Sequence, residues 1–390
     1  MTARVPVAGV QPSVLRWARE SQGYSIDDVA QHLKRDPAEI AAWESESSDA
    51  APTYAQLEDL AYTLYKRPLA VFFLPAPPRE PVVKQEFRTL PDLDLEQLAA
   101  DTRYQIRLAR AFQLSLKELN DGVNPSERKI FREMAVSVNV DVRKAALQAR
   151  ESLGITLANQ SAWKSTEDAL AAWRNMVEEN GVFVFKHSFK QKAISGFCLA
   201  DEEFPVIYLN NSTAKVRQIF SLFHELAHLL LRVNAISKFD RSYVDLLPQK
   251  EKRIEQFCNA FAAELLVPFQ DFGAQVKSLT RIDDRTVAQL AWHYHVSREV
   301  ILRRILDRGL VDQTYYETKV RQWAAEKEDS GSGGNANATQ ASYLGEKYLR
   351  LVFGKHYQGK INLEQVADYL GVRSKRVAEL EAIMLRKAAA

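Results

Sequence analysis

Cysteine is scarce. The 390 residues contain two, Cys198 and Cys258. Two thiols cannot build a disulfide framework, which suits a reducing compartment, so a cytoplasmic location is expected. The opening stretch MTARVPVAGVQPSVLRWARE lacks the apolar region of a secretory signal. No stretch approaches the roughly 20 apolar residues of a membrane-spanning helix, and the run Leu229-Leu230-Leu231 ends at Arg232. Neither sign of charge dominates: 52 Lys and Arg face 50 Asp and Glu, a net +2. The whole molecule therefore has no strong field for nucleic acid or membrane, and DNA binding would need a local patch. These absences point to a soluble intracellular protein with no membrane partner. Its length suggests roughly two to four domains.

Helix breakers gather in two places. Pro75-Ala76-Pro77-Pro78-Arg79-Glu80-Pro81 places four prolines in seven residues, which no helix tolerates. Ser330-Gly331-Ser332-Gly333-Gly334-Asn335-Ala336-Asn337-Ala338 reads as a flexible linker. Between them, residues 95–152 read as long helices, with apolar residues at helical spacing such as Ile106, Phe112, Leu116 and Leu119. A further helix carrying Ala169, Leu170, Trp173, Met176 and Val177 should stop at Asn180-Gly181. Residues 182–185, 196–199 and 205–209 are rich in β-formers. Helices resume at Thr213 and run to about Asp307. The expected fold class is α+β, predominantly helical with a small β-sheet. The expected divisions are 1–78, a helical arm 79–154, a core 155–328, a linker 329–341 and a C-terminal helical domain 342–390.

Three segments align without gaps: those beginning at Ser25, Thr286 and Asn362. Ile26, Val29, Ala30, Leu33, Ile40 and Trp43 correspond to Leu363, Val366, Ala367, Leu370, Val377 and Leu380. The middle copy, within 284–310, offers Val287, Leu290, Ala291, Tyr294 and Ile301. A helix with a small residue midway, a short turn and a second helix with an apolar inner face is the helix-turn-helix pattern. Fold alone makes none of them bind DNA. The first copy also has a preceding helical stretch, 15–20, and a following one, 52–61. Arg16, Arg19, Lys34 and Arg35 are its candidate contacts to a DNA backbone, although Asp36, Glu39, Glu44, Glu46 and Asp49 would repel phosphate.

Residues 224–228 read His-Glu-Leu-Ala-His, an H-E-x-x-H pattern. One helical turn separates His224 from His228, so both imidazoles can face one metal ion. Glu225 flanks that point and can take a proton from the attacking water, then return it to the leaving amine. Apart from Glu225, residues 218–231 carry no formal charge (His neutral). Three polar side chains on so apolar a helix need a reason, because unpaired polar groups are costly to bury. A catalytic zinc needs a third protein ligand. Asn234 occupies the place where a third histidine would stand in one known spacing. The helix-forming run from Lys250 to Pro268 offers Glu251, Glu255 and Glu264 instead. Periodicity does not choose between Glu255 and Glu264. The small, uncharged strip of Asn259, Ala262 and Leu266 beside Glu255 favours Glu255, and Arg253 near Glu264 suggests a surface ion pair.

The motif 224–228 followed by Ile254-Glu255-Gln256-Phe257-Cys258-Asn259-Ala260-Phe261-Ala262-Ala263-Glu264-Leu265-Leu266-Val267-Pro268 resembles the ImmA/IrrE family of metallopeptidases. Residues 15–61 resemble an XRE-family DNA-binding domain, which members of that family often carry, and 67–75 resemble the junction that follows it. The resemblance implies a zincin-like core in which His224, His228 and Glu255 hold Zn²⁺ and Glu225 is the general base. It implies cleavage of a regulatory protein, typically an XRE-type repressor, in stress response or mobile-element control. A different class stays open: a regulator or antitoxin that binds DNA or a toxin, with its metal site structural or inactive. Among the remaining candidates, His293 and His295 fall in the middle helix pair with nothing to hold them to zinc, and His187 lies beside a strand. Tyr208 or Asn210, just before the metal helix, could reach substrate. Cys258 reads as a small buried hydrophobe.

Overall fold

Side chains one step before them, Ser25 and Asp36, set the starts of two of the first helices. The computed structural model describes residues 5–81, 83–87, 89–134, 136–239, 241–277, 279, 281–325 and 336–388. They form two units: residues up to Leu108 with Phe189–Gln191, and Ala109–Ser188 with residues from Lys192 onward. In the first, α1 (Pro12–Gln22) begins with proline at its first turn and ends on Gly23 at φ 80°, a left-handed cap that glycine adopts without strain. Ser25 opens α2 (Ile26–Leu33): its hydroxyl accepts from Asp28 N at 3.1 Å while the Asp28 carboxylate accepts from Ser25 N at 2.8 Å. Asp36 opens α3 (Pro37–Trp43) by accepting from Ala38 N at 2.8 Å. These helices and α4 (Tyr54–Asp59) close over a core of Val14, Leu15, Val29, Ile40, Trp43 and Leu57. Residues 74–81 form no helix, as the prolines require.

The three aligned segments all fold as helix pairs. In the second unit the middle copy forms α10 (Asp284–Tyr294) and α11 (Arg298–Leu306), and the last forms α15 (Leu363–Leu370) and α16 (Val377–Ala388). At the same aligned position each chain turns through the left-handed region: Lys34 at φ 54°, His295 at φ 52° and Gly371 at φ 63°. The mid-helix alanines, Ala30, Ala291 and Ala367, are all buried.

In the second unit, part of α5 (Ala100–Leu119), α6 (Val142–Leu153) and α7 (Thr166–Glu179) precede the sheet. The stretch read as long helices is broken between α5 and α6, because Asp121 and Gly122 both take positive φ and Pro125 follows; only a short helix, Ile130–Glu133, lies in it. The sheet has the order β1-β3-β2-β4, with β1 (Phe183–His187), β2 (Ile194–Leu199), β3 (Val206–Asn210) and β4 (Ala235–Lys238). β1 runs parallel to β3, and β2 is antiparallel to both β3 and β4. β4 follows the metal helix directly, where no strand is expected from sequence. Gly196 is required in β2, since a Cβ there would meet Tyr208 O at 2.8 Å.

Alternation along the strands makes two apolar faces. Val184, Cys198, Ile207 and Leu209 belong to the core shared with α8 (Lys215–Leu230) and α9 (Gln249–Leu266). On the other face Phe185 stacks on Phe112 (centroids 4.3 Å) and meets the edge of Tyr348 (5.2 Å). Tyr348 sits in α14 (Glu346–Tyr357), which follows α13 (Ala336–Leu344). The C-terminal helices are thus not held apart: Arg174 donates to Ser342 O at 2.7 Å, and Lys347 donates to Ser126 Oγ at 2.8 Å and to Glu178 O. The glycine- and serine-rich part of the expected linker, 330–335, lies outside the described residues. The chain is mostly helical with one small mixed sheet. None of the described helices is long and apolar enough to cross a membrane.

Candidate metal centre

α8 is apolar on nearly every side, and residues 221–230 are all buried. Each such large apolar side chain contributes about 1.5–3 kcal/mol relative to exposure, enough to hold the helix in place around polar groups that oppose burial. It packs against α9 on one side and β2 on another. His224 and His228 face α9, with ring centroids 4.8 Å apart. Their Nε2 atoms lie 3.1 Å from each other. His224 Nε2 is 3.3 Å from Glu255 Oε2, and His228 Nε2 is 3.1 Å from Glu255 Oε1. Among the described residues these three side chains form the one group whose potential ligand atoms all lie within 4.8 Å of one another.

The donor set fits zinc. Bonds of about 2.0–2.2 Å to nitrogen and oxygen place the corners of a tetrahedron about 3.3–3.6 Å apart, close to the separations found here. All three side chains are almost wholly buried. The two imidazole Nδ1 atoms have no hydrogen-bond partner among the described residues, so outer support for the ligands is seen here at Glu255 rather than at the histidines. The Tyr243 hydroxyl donates to Glu255 Oε2 at 3.0 Å. Burial by itself raises the Glu255 carboxyl, but the His228 and His224 imidazoles more than offset it and hold the group well below the usual carboxylate range. Burial pushes the Tyr243 hydroxyl well above its ordinary value, and the Glu255 carboxylate adds to the rise.

Glu225 turns the other way, towards the sheet. It is fully buried, and neither carboxylate oxygen completes a hydrogen bond among the described residues. The Ser237 hydroxyl and Cys198 thiol, on β4 and β2, are polar neighbours. Burial raises its pKa to about 7, against the opposing pull of His224. A carboxyl poised there can accept a proton and later give it back near neutral pH. A cleft of about 70 Å³ opens beside the site, lined by Phe220, His224, Ser237, Tyr243 and Asn259.

Residues 177–306 match the family model described as Peptidase_M78: IrrE N-terminal-like domain. That stretch runs from the end of α7 through the sheet, α8 and α9 to the end of α11, and it supports a metallopeptidase-type function and the ImmA/IrrE family. A comparison of the chain with curated proteins gives no match.

The structure sorts the other candidates. Glu264 is no surface ion pair with Arg253: it is buried, pairs with Arg304 and accepts from Phe269 N at 2.8 Å. Asn234 accepts from Ala200 N at 2.7 Å. Tyr208 stacks on Phe197 at 5.0 Å, on the face of the sheet opposite α8. Asn210 is buried, bonding Ile194 O and capping the turn at Ser212. His187 packs on Tyr343 at the end of β1, and Cys258 lies in the core. Of the basic residues proposed for DNA, Arg19 is taken inward: its guanidinium bonds both oxygens of the Glu44 carboxylate at 2.8 Å, so it has no free face for phosphate. Arg16, Lys34 and Arg35 are exposed, with Arg35 3.9 Å from Glu39. Tyr243 and Ser237 were missed, since both reach the site through the loop and strand between α8 and α9, a stretch with no motif spacing to mark it.

Proposed function

We propose that this protein is a zinc-dependent metalloendopeptidase that cleaves a regulatory protein in stress response or mobile-element control, with an XRE-type transcriptional repressor as the substrate class. The observation that carries this reading is the convergence of His224, His228 and Glu255 beside a buried, unpartnered Glu225. His224, His228 and Glu255 would hold the zinc, which would supply Lewis-acid polarisation of the scissile carbonyl. Glu225 accepts the proton of the attacking water and returns it to the leaving amine. Tyr243 keeps Glu255 oriented through its hydroxyl. The apolar wall of α8 and the sheet excludes bulk water from these groups, which strengthens their electrostatic effect.

The test compares the proteomes of cells carrying the wild type or Glu225→Gln. A transcription factor cleaved only in the wild type supports the reading. A Glu225→Gln protein with full biological effect overturns it in favour of a DNA- or toxin-binding regulator, a reading that the exposed Arg16, Lys34 and Arg35 favour. Metal analysis comes alongside: one zinc per chain is expected, and none in the His224→Ala/His228→Ala variant.

A further inference from the structure

Next to the metal cleft lies a second cavity of about 310 Å³ that the proposed chemistry does not use. Its walls are Ala288, Ala291 and Trp292 from α10, and Val320 and Trp323 from α12 (Gln313–Ala325). His295 and Arg298, at the turn between α10 and α11, complete it. The His295 ring is 1% exposed and flanked by Trp163 and Trp292 at centroid separations of 5.8 and 5.5 Å. The backbone of Trp163 approaches the imidazole, yet neither ring nitrogen completes a hydrogen bond among the described residues. The Trp323 indole N–H is likewise buried without a partner. Unsatisfied buried donors and acceptors are unfavourable unless something arrives to meet them.

Val216, Arg217, Ser297 and Glu299 line both this cavity and the metal cleft, so the two adjoin. Arg217 and His224 lie on the same helix, α8. Seven residues of helix span about 10 Å, the reach of about three residues of extended chain.

We infer that this cavity is the specificity pocket of the proposed peptidase and takes a tyrosine side chain about three residues from the scissile bond. The inference rests on the peptidase reading. The exposed Trp292 indole suits a flat aromatic ring. The Arg298 guanidinium already lies over the Trp323 ring at 4.7 Å, and a phenolic hydroxyl can both donate and accept. It can therefore accept from the Trp323 N–H and donate to one His295 nitrogen, which phenylalanine cannot.

Calorimetry on full-length, zinc-loaded Glu225→Gln tests the pocket without turnover. An octapeptide with tyrosine three residues from its centre should bind about tenfold tighter than its glycine counterpart. Ala288→Trp, which fills the pocket from its exposed rim, and Trp292→Ala, which removes one exposed wall, should each bring that ratio close to one. Equal binding of the two peptides, or a ratio that survives both substitutions, overturns the pocket. Cleavage of a randomised peptide library by the wild type separates the two ideas. Cleavage with no tyrosine preference two to four residues from the cut removes the pocket and leaves the peptidase. A calorimetric ratio that holds while the wild type cleaves nothing removes the peptidase and leaves the pocket.

Discussion

At the end of α3, Glu44 is 4% exposed and holds Arg19 through two contacts of 2.8 Å. In the middle of α8, Glu225 is fully buried and completes no hydrogen bond among the described residues. Both carboxylates have left water, and desolvation opposes the charge in each. In the first, the guanidinium meets both carboxylate oxygens, and Glu44 raises the Arg19 pKa chiefly through their hydrogen bond. In the second, burial outweighs the opposing pull of His224, and the pKa rises to about 7. A closed pair of this kind specifies how helices meet. An open carboxylate beside two histidines and a second glutamate is a feature that stability alone does not favour, and it is therefore read as serving chemistry.

The sharpest way to test that contrast is to remove each carboxylate in turn. Glu225→Gln should lower peptidase activity about 10³-fold, within the range for loss of a general base, while zinc content stays at one per chain. Parallel turnover and metal measurements check both halves. Glu44→Ala should do the reverse. It leaves the buried guanidinium with only Tyr24 O and the Glu20 carboxylate, an effect of about 3 kcal/mol in denaturant unfolding, and leaves turnover by the folded protein unaffected. Should Glu44→Ala be mild and Glu225→Gln lose its zinc, the distinction between a closing pair and an open site would collapse.

A third outcome concerns pH. A carboxyl whose pKa is raised on folding favours the native state only while protonated. In metal-free protein, stability tied to Glu225 is therefore lost as pH rises from its ordinary 4.5 through about 7. The loss amounts to about 3 kcal/mol above that range. Metal-free Glu225→Gln should accordingly melt higher than metal-free wild type at pH 8, with the advantage gone near pH 4.5; an advantage equal at both pH values would refute the cause. Smallest is Tyr243→Phe. It removes the hydroxyl that supports Glu255 and should weaken zinc binding by about tenfold, measured by competition with a chelator.

Much of the site was legible in residue order because it depends on local periodicity. His224 and His228 share a helix face at any position in a fold, and the uncharged flanks of α8 announced that this face would be buried. The three helix pairs were legible for a related reason: apolar spacing and a small mid-helix residue mark the packed side, and the shared left-handed turn at Lys34, His295 and Gly371 follows the same alignment. Glu255 was favoured over Glu264 only by the character of neighbouring residues, and Glu264 then proved to be buried against Arg304. Arg19 looked like a surface cation because nothing near it in sequence shows that Glu44, on another helix, closes over it. β4 was missed because four residues between two helices carry too little pattern to stand out.

The sequence by itself determined the helix faces, their caps and the pairing of two histidines with a glutamate, since each depends on residues within one or two helical turns. Only the tertiary structure decided that α9 delivers Glu255 to those histidines, that Tyr243 supports it and that β2 and β4 border Glu225. It alone placed α10, α11 and α12 around an aromatic cavity beside the cleft. Those contacts join residues tens of positions apart, and their geometry follows from how whole helices and strands pack, which no local spacing encodes.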